Sequence, residues 1–310
     1  MSKINNYAHL VGSIPLDSSV EVFCSVCSSI GSHIKRLPDG ETGERSKWIF
    51  YQRQMLTNHP AMEPDNSIPK FQFKQWDGKV IREVRLLRLK DDADTENLIF
   101  PIGYSEHAIE SYKDFSRLQS AGQIPTDVKF QVSLPTPFAT GYNYVSPKGR
   151  EKFLEIYEKS FAVDVAKIMA AIPHDKLAVQ WDVCQEVLIF ENYFPDRSEN
   201  YKQEIYDQLA RIGDLIPADV ELGYHICYGS PGDDHVVKPK DFALSVELSH
   251  GIFDNVNRSI EFIHMPGTYG EPGDDFYAPL GDLNLPADCE LYLGLLFFDD
   301  QEGDAARITA

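Results

Sequence analysis

Short apolar runs alternate with longer amphipathic stretches along the last two thirds of the chain, and this alternation limits the fold more than any other feature. Apolar runs bounded by turn residues are typical of buried strands, and amphipathic stretches are typical of helices packed on a sheet. The alternation therefore predicts an α/β fold in which strands lead into helices. Strands are predicted at residues 9–13, 33–40, 128–135, 177–183, 220–229, 259–266 and 290–297, and helices at about 18–30, 105–121, 149–171, 199–215 and 240–250.

Seven predicted strands, most of them followed by a helix, indicate a TIM (β/α)8 barrel that lacks its last βα unit. After the last strand, residues 299–310 begin with the acidic residues typical of a helix start, and the sequence stops within the first turns. A seven-stranded parallel array would leave two unpaired edges, so we expect the sequence to be a truncated form. A natural shortening, or an edge closed by another copy in a homo-oligomer, would also account for the missing unit.

One stretch, between about residues 60 and 101, departs from the alternation of strands and helices. Within it, residues 70–89 alternate apolar and polar side chains in steps of two around Asp77-Gly78, which is the pattern of a β-hairpin. We therefore predict a single barrel domain over residues 1–310, with this stretch inserted after the second strand.

The net charge of the chain argues against some classes of binding partner. Asp and Glu outnumber Lys and Arg by 48 to 29 in 310 residues, which gives a net charge of −19. Such a surface repels nucleic-acid phosphates and anionic lipids, so we expect neither nucleic acid nor membrane as a partner and favour a small-molecule substrate. The N-terminal residues lack the pattern of a signal peptide, and the longest apolar run is too short to span a bilayer, which predicts a cytoplasmic protein.

His225 and Cys227, near the end of the predicted strand 220–229, are the strongest candidates for chemistry. Side chains two residues apart in a strand share a face, so the imidazole and the thiol point together toward the end of the barrel where active sites lie. Nitrogen and sulfur are ligands that zinc prefers. The alternative, two residues packed inside the barrel without a metal, stays open on spacing alone.

The following predicted strand, 259–266, offers a third ligand. We expect Ile260 and Phe262 to face the helices, which leaves Glu261 facing the interior, where a carboxylate requires a partner or a metal. His264 lies nearer the end of the strand and is the competing candidate.

Carboxylates also occur at the ends of two other predicted strands. Asp182 ends the strand 177–183, with Cys184 on the same face, and Asp39 and Glu41 follow the second strand. Acids at the barrel opening are suited to holding a substrate ammonium group, whereas the simpler interpretation of the second set is a solvated turn.

The five cysteines do not form a disulfide framework in a cytoplasmic chain of this length. Cys24 and Cys27 have the spacing of a redox or metal pair, but they fall in a predicted helix, where positions three apart share one face. We therefore expect these two cysteines to pack against the core.

Five segments, taken in order, resemble one known family. They read GSIP at 12–15, PDGETGER at 38–45, QWDV at 180–183, YHICYG at 224–229 and IHMP at 263–266. Together they are similar to the catalytic barrel of cobalamin-independent methionine synthase and its single-barrel relatives, in a superfamily that also includes uroporphyrinogen decarboxylase. The resemblance extends over nearly the whole chain and implies a TIM barrel.

The resemblance implies a zinc-dependent methyl or alkyl transferase that activates a small, homocysteine-like thiol as a thiolate for attack on an alkyl donor. In the family, the zinc binds the thiolate and acids contact the amino group of the substrate. Carried over by position, the resemblance implies His225, Cys227 and Glu261 as metal ligands, Asp182 and Glu41 as catalytic and substrate-binding residues, and Ser13 and Asp39 as further substrate-binding residues.

The sequence departs from the family pattern at three points. The segment before Glu261 is longer than in the family, so His264 stays open as a ligand. Asp182 is followed by Val-Cys instead of Glu-Pro. Cys289 looks like the last cysteine ligand of the family, but it precedes the final predicted strand, so we expect the last ligand beyond the end of this sequence.

Two alternatives to the transferase stay open. A metal-independent lyase or decarboxylase on the same barrel would need cations for substrate carboxylates, and Arg45 and Lys47 are the candidates near the opening. A degenerate barrel without catalytic activity is favoured if the eighth βα unit is absent from the native protein.

Overall fold

The computed structural model describes residues 7–231, 234–270, 272–297 and 300–309; residues 1–6, part of the stretch in which no signal peptide is predicted, lie outside these ranges. The β-strands are β1 (Arg36–Pro38), β2 (Met62–Pro64), β3 (Phe71–Lys74), β4 (Val80–Val84), β5 (Leu87–Leu89), β6 (Lys129–Pro135), β7 (Leu177–Val183), β8 (Glu221–Ile226), β9 (Phe262–Pro266) and β10 (Glu290–Gly294). The α-helices are α1 (Ser19–Ile30), α2 (Phe50–Asn58), α3 (Tyr104–Ser120), α4 (Pro137–Tyr144), α5 (Arg150–Ala171), α6 (Gln185–Phe190), α7 (Tyr201–Gly213), α8 (Ala243–Asn255), α9 (Asp274–Tyr277) and α10 (Gln301–Thr309).

One parallel sheet positions the candidate site. It has the strand order β1-β6-β7-β8-β9-β10, and every neighbouring pair is parallel. Helices cover its outer face: Phe130 of β6 packs on Phe115 of α3, and Trp181 of β7 packs on Phe161 of α5, with ring centroids 5.4 and 5.6 Å apart. The predicted α/β fold is confirmed.

The sheet curls so that its distant strands meet at the amino end. Arg36 of β1 donates hydrogen bonds to Glu221 of β8 at 2.6 Å and to Glu290 of β10 at 3.1 Å. Strands β1 and β10 are the two edges of the sheet, and β8 is not a neighbour of β1. A single side chain that contacts all three strands requires the curvature of a half-barrel.

The first predicted strand, at 9–13, is not a strand in the structure. This segment pairs with the chain beside β1 only through isolated bridges, at Ala8 and Ser13. Gln131 and Gln180, from the inner face of the sheet, donate hydrogen bonds to its backbone carbonyls at 2.9 and 2.6 Å. Side chains therefore occupy the carbonyls of this segment that would accept hydrogen bonds from a neighbouring strand. The described residues form a curled half-barrel of six parallel strands, and a full TIM (β/α)8 barrel is not confirmed.

The hairpin predicted around Asp77-Gly78 is present. Strands β3 and β4 pair antiparallel on either side of this turn, and β2 pairs with β5. The hairpin packs against loops that follow β7 and β8. The backbone of Lys74 exchanges hydrogen bonds of 2.7 and 2.9 Å with the Tyr193 hydroxyl, and the Trp76 indole donates to Asp234 at 2.8 Å. The inserted stretch therefore lies beside the carboxyl end of the sheet.

The five helices predicted from amphipathic periodicity correspond to α1, α3, α5, α7 and α8. The pattern does not predict α4 and α6, because these short helices are buried on nearly all sides and show no polar face. None of the helices in the described ranges is both long and apolar enough to cross a bilayer.

Candidate active site

Three ionisable side chains lie side by side on the inner face of β7, β8 and β9. The strand register pairs Asp182 with His225, and His225 with His264. Residues directly opposite one another in neighbouring strands point to the same face, so the carboxyl group and both imidazoles face the interior. The Nδ1 atoms of His225 and His264 are 2.7 Å apart. This contact requires one imidazole to donate and the other to accept.

The surroundings place the proton on His225. Burial alone would lower the pKa of His225, but Cys227, Asp182 and Glu41 favour its charged form and raise its pKa above the ordinary value. Burial, together with the charge of His225, holds the pKa of His264 well below the ordinary value. These opposite shifts favour the arrangement in which the Nδ1–H of His225 donates to a neutral His264.

Cys227 comes directly after β8 and lies beside Cys184, which comes directly after β7. A hydrogen bond from the Cys184 thiol lowers the pKa of Cys227 well below the ordinary value against the opposing effect of burial, and His225 lowers it further. The Gly229 N–H also donates to the Cys227 sulfur, at 3.3 Å. Part of the Cys227 surface is exposed, whereas Cys184 is buried. The arrangement favours the thiolate form of the partly exposed Cys227 beside His225.

A second group of acids faces the same interior. Glu41 has a left-handed backbone with φ of 50°; its N–H donates to Asp39 at 3.0 Å, and its carboxyl group accepts from the Ser13 hydroxyl. Burial raises the pKa of Glu41. Burial also raises the pKa of Asp182 to about 8, with Glu41 acting in the same direction and His225 opposing it. Glu41 and Asp182 therefore belong to one electrostatic group.

Asp39, predicted to bind substrate, is engaged by the protein itself. It forms an ion pair with Arg45 and accepts hydrogen bonds from the Ser111 hydroxyl at 2.7 Å and from the Glu41 backbone. These contacts fix the turn that presents Glu41 to the interior. Its predicted contact with substrate stays a prediction.

The predicted inward orientation of Glu261 is wrong. Phe262 faces the interior instead, beside Gly223, where an added Cβ would lie 2.2 Å from the Phe262 ring. Glu261 lies just before β9, where its carboxylate accepts from the Leu222 N–H at 2.7 Å and pairs with Arg258 at 2.9 Å. Glu261 is thus held at the amino end of the sheet.

The predicted ligand set is therefore not assembled. Glu261 lies beside the residue three positions before His225, so it is about 10 Å from His225 along the strand direction. The position beside His225 is occupied by His264. Within the described ranges, no three His, Cys, Asp or Glu side chains are arranged to hold one metal ion. Zinc sites use at least three protein ligands, so the described donors as placed do not by themselves complete a zinc site.

The sequence analysis does not identify two further residues of this region, His9 and Glu186. His9 lies inside the half-barrel, with Nε2 2.7 Å from Oε1 of Gln180 and its ring 4.9 Å from that of Tyr292. Glu186 is fully buried in α6, and burial raises its pKa to about 7. An acid within the apolar run QEVLIF is the sequence feature that could have indicated a buried Glu186. For His9 there was none, because its contacts come from distant strands.

Comparison with known proteins gives a structural relationship. No family model and no curated protein matches the chain. Among solved structures, the chain is similar to the crystal structure of the "Putative Vitamin-B12 Independent Methionine Synthase from Listeria monocytogenes", with a TM-score of 0.52 and 15% identity. The match covers 94% of this chain and 74% of the other. At this identity the similarity shows the fold, and it supports the resemblance to methionine synthase-like barrels as a distant structural relationship.

Stability should fall in acid partly because of His9. Burial lowers the pKa of His9 from 6.5 to about 3. Unfolding therefore takes up a proton between these values, so stability is full above pH 6.5 and decreases as the pH falls toward 3. We expect this residue to account for about 1–3 kcal/mol of unfolding free energy lost between about pH 7 and 4. Urea titrations of His9→Gln should show a shallower loss, and His33→Gln, at an exposed histidine, should match the wild type.

Proposed function

We propose that the chain is a methyl or alkyl transferase that acts on a small thiol carrying an amino group, such as a homocysteine-like amino acid. The strongest support is the register that places Asp182 beside His225 on the inner face of the half-barrel. Glu41 acts electrostatically on both residues. Acids suited to an ammonium group and a cation suited to a thiolate thus lie in one interior.

Each residue has a distinct part in this proposal. Glu41 and Asp182 would bind the ammonium group through charge-assisted hydrogen bonds. The bound cation would favour the ionised forms of these acids against the burial that raises their pKa values. The His225 imidazolium would stabilise the substrate as a thiolate, the form of a thiol that attacks an alkyl carbon. His264, whose Nδ1 lies 2.7 Å from that of His225, would accept the Nδ1 proton and so hold the His225 ring in one orientation. Cys227 favours the charged form of His225.

Zinc, implied by the resemblance, stays a prediction. A bound zinc would supply Lewis-acid stabilisation of the thiolate. Because the described donors do not assemble three ligands, we derive no step through the metal. The resemblance predicts about one zinc per intact chain. Elemental analysis of the purified full chain tests that number, and a metal-free chain that binds and alkylates thiols would contradict the zinc prediction alone.

The ammonium contact gives the sharpest test of the proposal. Glu41→Gln should weaken the binding of homocysteine by about 10- to 100-fold, because a charge-assisted hydrogen bond to the ammonium is lost. The analogue 4-mercaptobutanoate has the same thiol and carboxylate but no amino group, so it should bind the wild type and the variant equally weakly. Isothermal titration calorimetry measures both ligands on both proteins.

Glu44→Gln is the matched control. Glu44 lies in the same segment as Glu41, is exposed, and pairs with His107 at 3.1 Å, so its loss should leave homocysteine binding unchanged. Turnover is then assayed as thioether formation from homocysteine with a panel of methylfolate, methylsulfonium and methylamine donors. If the chain neither binds the thiol nor forms the thioether product, the proposal is wrong. Binding without turnover would favour the degenerate, non-catalytic alternative.

The lyase or decarboxylase alternative receives less support from the contacts around the acids. Arg45, one of the two cations predicted to bind substrate carboxylates, is already paired with Asp39. Lys47 is exposed. A cytoplasmic location and a homo-oligomer stay predictions, and analytical ultracentrifugation tests the oligomer.

A further inference from the structure

Two cysteines are brought together by the register of β7 and β8. Val183 pairs with Ile226 at the ends of these strands, so the next residues are Cys184 and Cys227. The ladder continues into this pair, since the Cys227 N–H donates to the Val183 carbonyl at 2.9 Å. Neighbouring strands lie about 4.8 Å apart, which falls within the Cα separation of about 4.4–6.8 Å that disulfides span.

The side chains of this pair also point to the same face. Positions 184 and 227 directly follow two residues that are paired in register, and Asp182 and His225, two positions earlier, face the interior. Both sulfurs border Gly229, whose N–H lies 3.3 Å from the sulfur of Cys227 and whose added Cβ would lie 3.6 Å from that of Cys184. Since both sulfurs border one glycine at the ends of neighbouring strands, the strand ends need no large movement to bond them.

Accessibility divides the roles between the two sulfurs. Cys227 is partly exposed on the interior side, whereas Cys184 is 4% exposed. An oxidant from solution therefore reaches Cys227 first, and Cys184 lies behind it at the end of the neighbouring strand.

We propose that Cys184 and Cys227 form a redox-active dithiol that a hydroperoxide converts to a disulfide at the carboxyl end of β7 and β8. The Cys227 sulfur attacks the hydroperoxide, the O–O bond breaks, and Cys227 becomes a sulfenic acid while the thiol proton leaves with the released oxygen as an alcohol or water. The Cys184 sulfur then attacks the Cys227 sulfur, and hydroxide leaves with the Cys184 proton as water. Two thiols are oxidised by two electrons, and one hydroperoxide is reduced.

This dithiol is separate from the remaining cysteines. Cys24 and Cys27 lie on α1, and Cys289 lies before β10 at the amino end of the sheet. The proposal does not depend on the transferase proposal, because it concerns only the sulfurs. Where both hold, the disulfide removes the free Cys227 sulfur beside His225 and switches the transferase off.

Thiol mapping of the full chain tests the proposal. Fully reduced protein is treated with hydrogen peroxide in the presence of a metal chelator, alkylated with iodoacetamide, digested and analysed by mass spectrometry. We expect a peptide pair joined through Cys184 and Cys227, about 2 Da lighter than the separate thiols, and alkylation at three of the five cysteines. Dithiothreitol should restore all five.

Two variants complete the test. Cys24→Ser with Cys27→Ser should form the same disulfide, which excludes the α1 pair as its source. Cys184→Ser should stop at the Cys227 sulfenic acid, trapped by dimedone. The proposal is overturned if wild-type Cys227 is trapped as a sulfenic acid without linkage, bonds to another cysteine, or stays a thiol. The wild-type map decides even where a variant fails to fold.

Discussion

Replacing His225 by glutamine is expected to move the pH profile for alkylation of Cys227 upward by about one to three pH units. Glutamine keeps a polar group in the interior but removes a neighbour that lowers the pKa of Cys227. At neutral pH, Cys227 of the variant should be mostly the neutral thiol. The rate of its reaction with iodoacetamide should therefore decrease by a factor of up to about ten. The rate of adduct formation at Cys227, followed by peptide mass across pH, measures the shift.

The same substitution should lower the proposed transferase activity by about 100-fold or more, because the cation that stabilises the substrate thiolate is lost. His174→Gln is the matched control: His174 also pairs with an acid, Asp219, at 2.9 Å, but on the surface. It should leave both the alkylation profile and the activity unchanged. An unchanged profile in the His225 variant would show that the charge at His225 does not ionise Cys227.

The sequence predicts the strand ends that carry the candidate site because outward and inward residues differ along β7 and β8. Trp181 and Tyr224 are large and face the helices, whereas Asp182 and His225 alternate with them and face inward. Parallel strands that are each followed by a helix place their carboxyl ends at one edge. These two conditions suffice to bring the acid and the imidazole together.

Glu261 could not be placed in this way, because the alternation argument assumes that the larger apolar side chain faces the helices. Phe262 faces inward because Gly223 on the neighbouring strand leaves space for its ring, and because the Arg36 guanidinium lies 4.1 Å from the ring centroid. Both conditions come from other strands, so the pattern within 259–266 does not contain them.

The segment 9–13 was mispredicted for a related reason. Its apolar residues are typical of a strand. In the structure, however, side chains from β6 and β7 donate hydrogen bonds to its backbone carbonyls. Gln131 and Gln180 lie more than a hundred residues away in sequence. The strand propensity of residues 9–13 cannot indicate that these distant side-chain amides take the place of hydrogen bonds from a neighbouring strand.

Arg36→Met should lower the free energy of unfolding by about 3 kcal/mol. The Arg36 side chain is 4% exposed, and its loss would leave Glu221 and Glu290 without their shared cation. Methionine keeps the apolar stem beside Phe262 and removes only the charge and its hydrogen bonds. The loss should stay at the low end for a buried ion pair, because Lys129 and Lys35 remain near the two carboxylates. Urea denaturation followed by circular dichroism measures the change.

Arg117→Met is the control, because Arg117 is exposed on α3 and pairs with Asp114 within one helical turn. Its effect should be below about 0.5 kcal/mol. Hydrogen exchange distinguishes a brace between sheet edges from a general loss of stability. If Arg36 holds the curl, exchange in the Arg36→Met variant should rise most in β1 and β10, the edge strands it joins, and least in the central β7. A uniform rise across all strands would mean that the curvature is set by the helices and not by this ion pair.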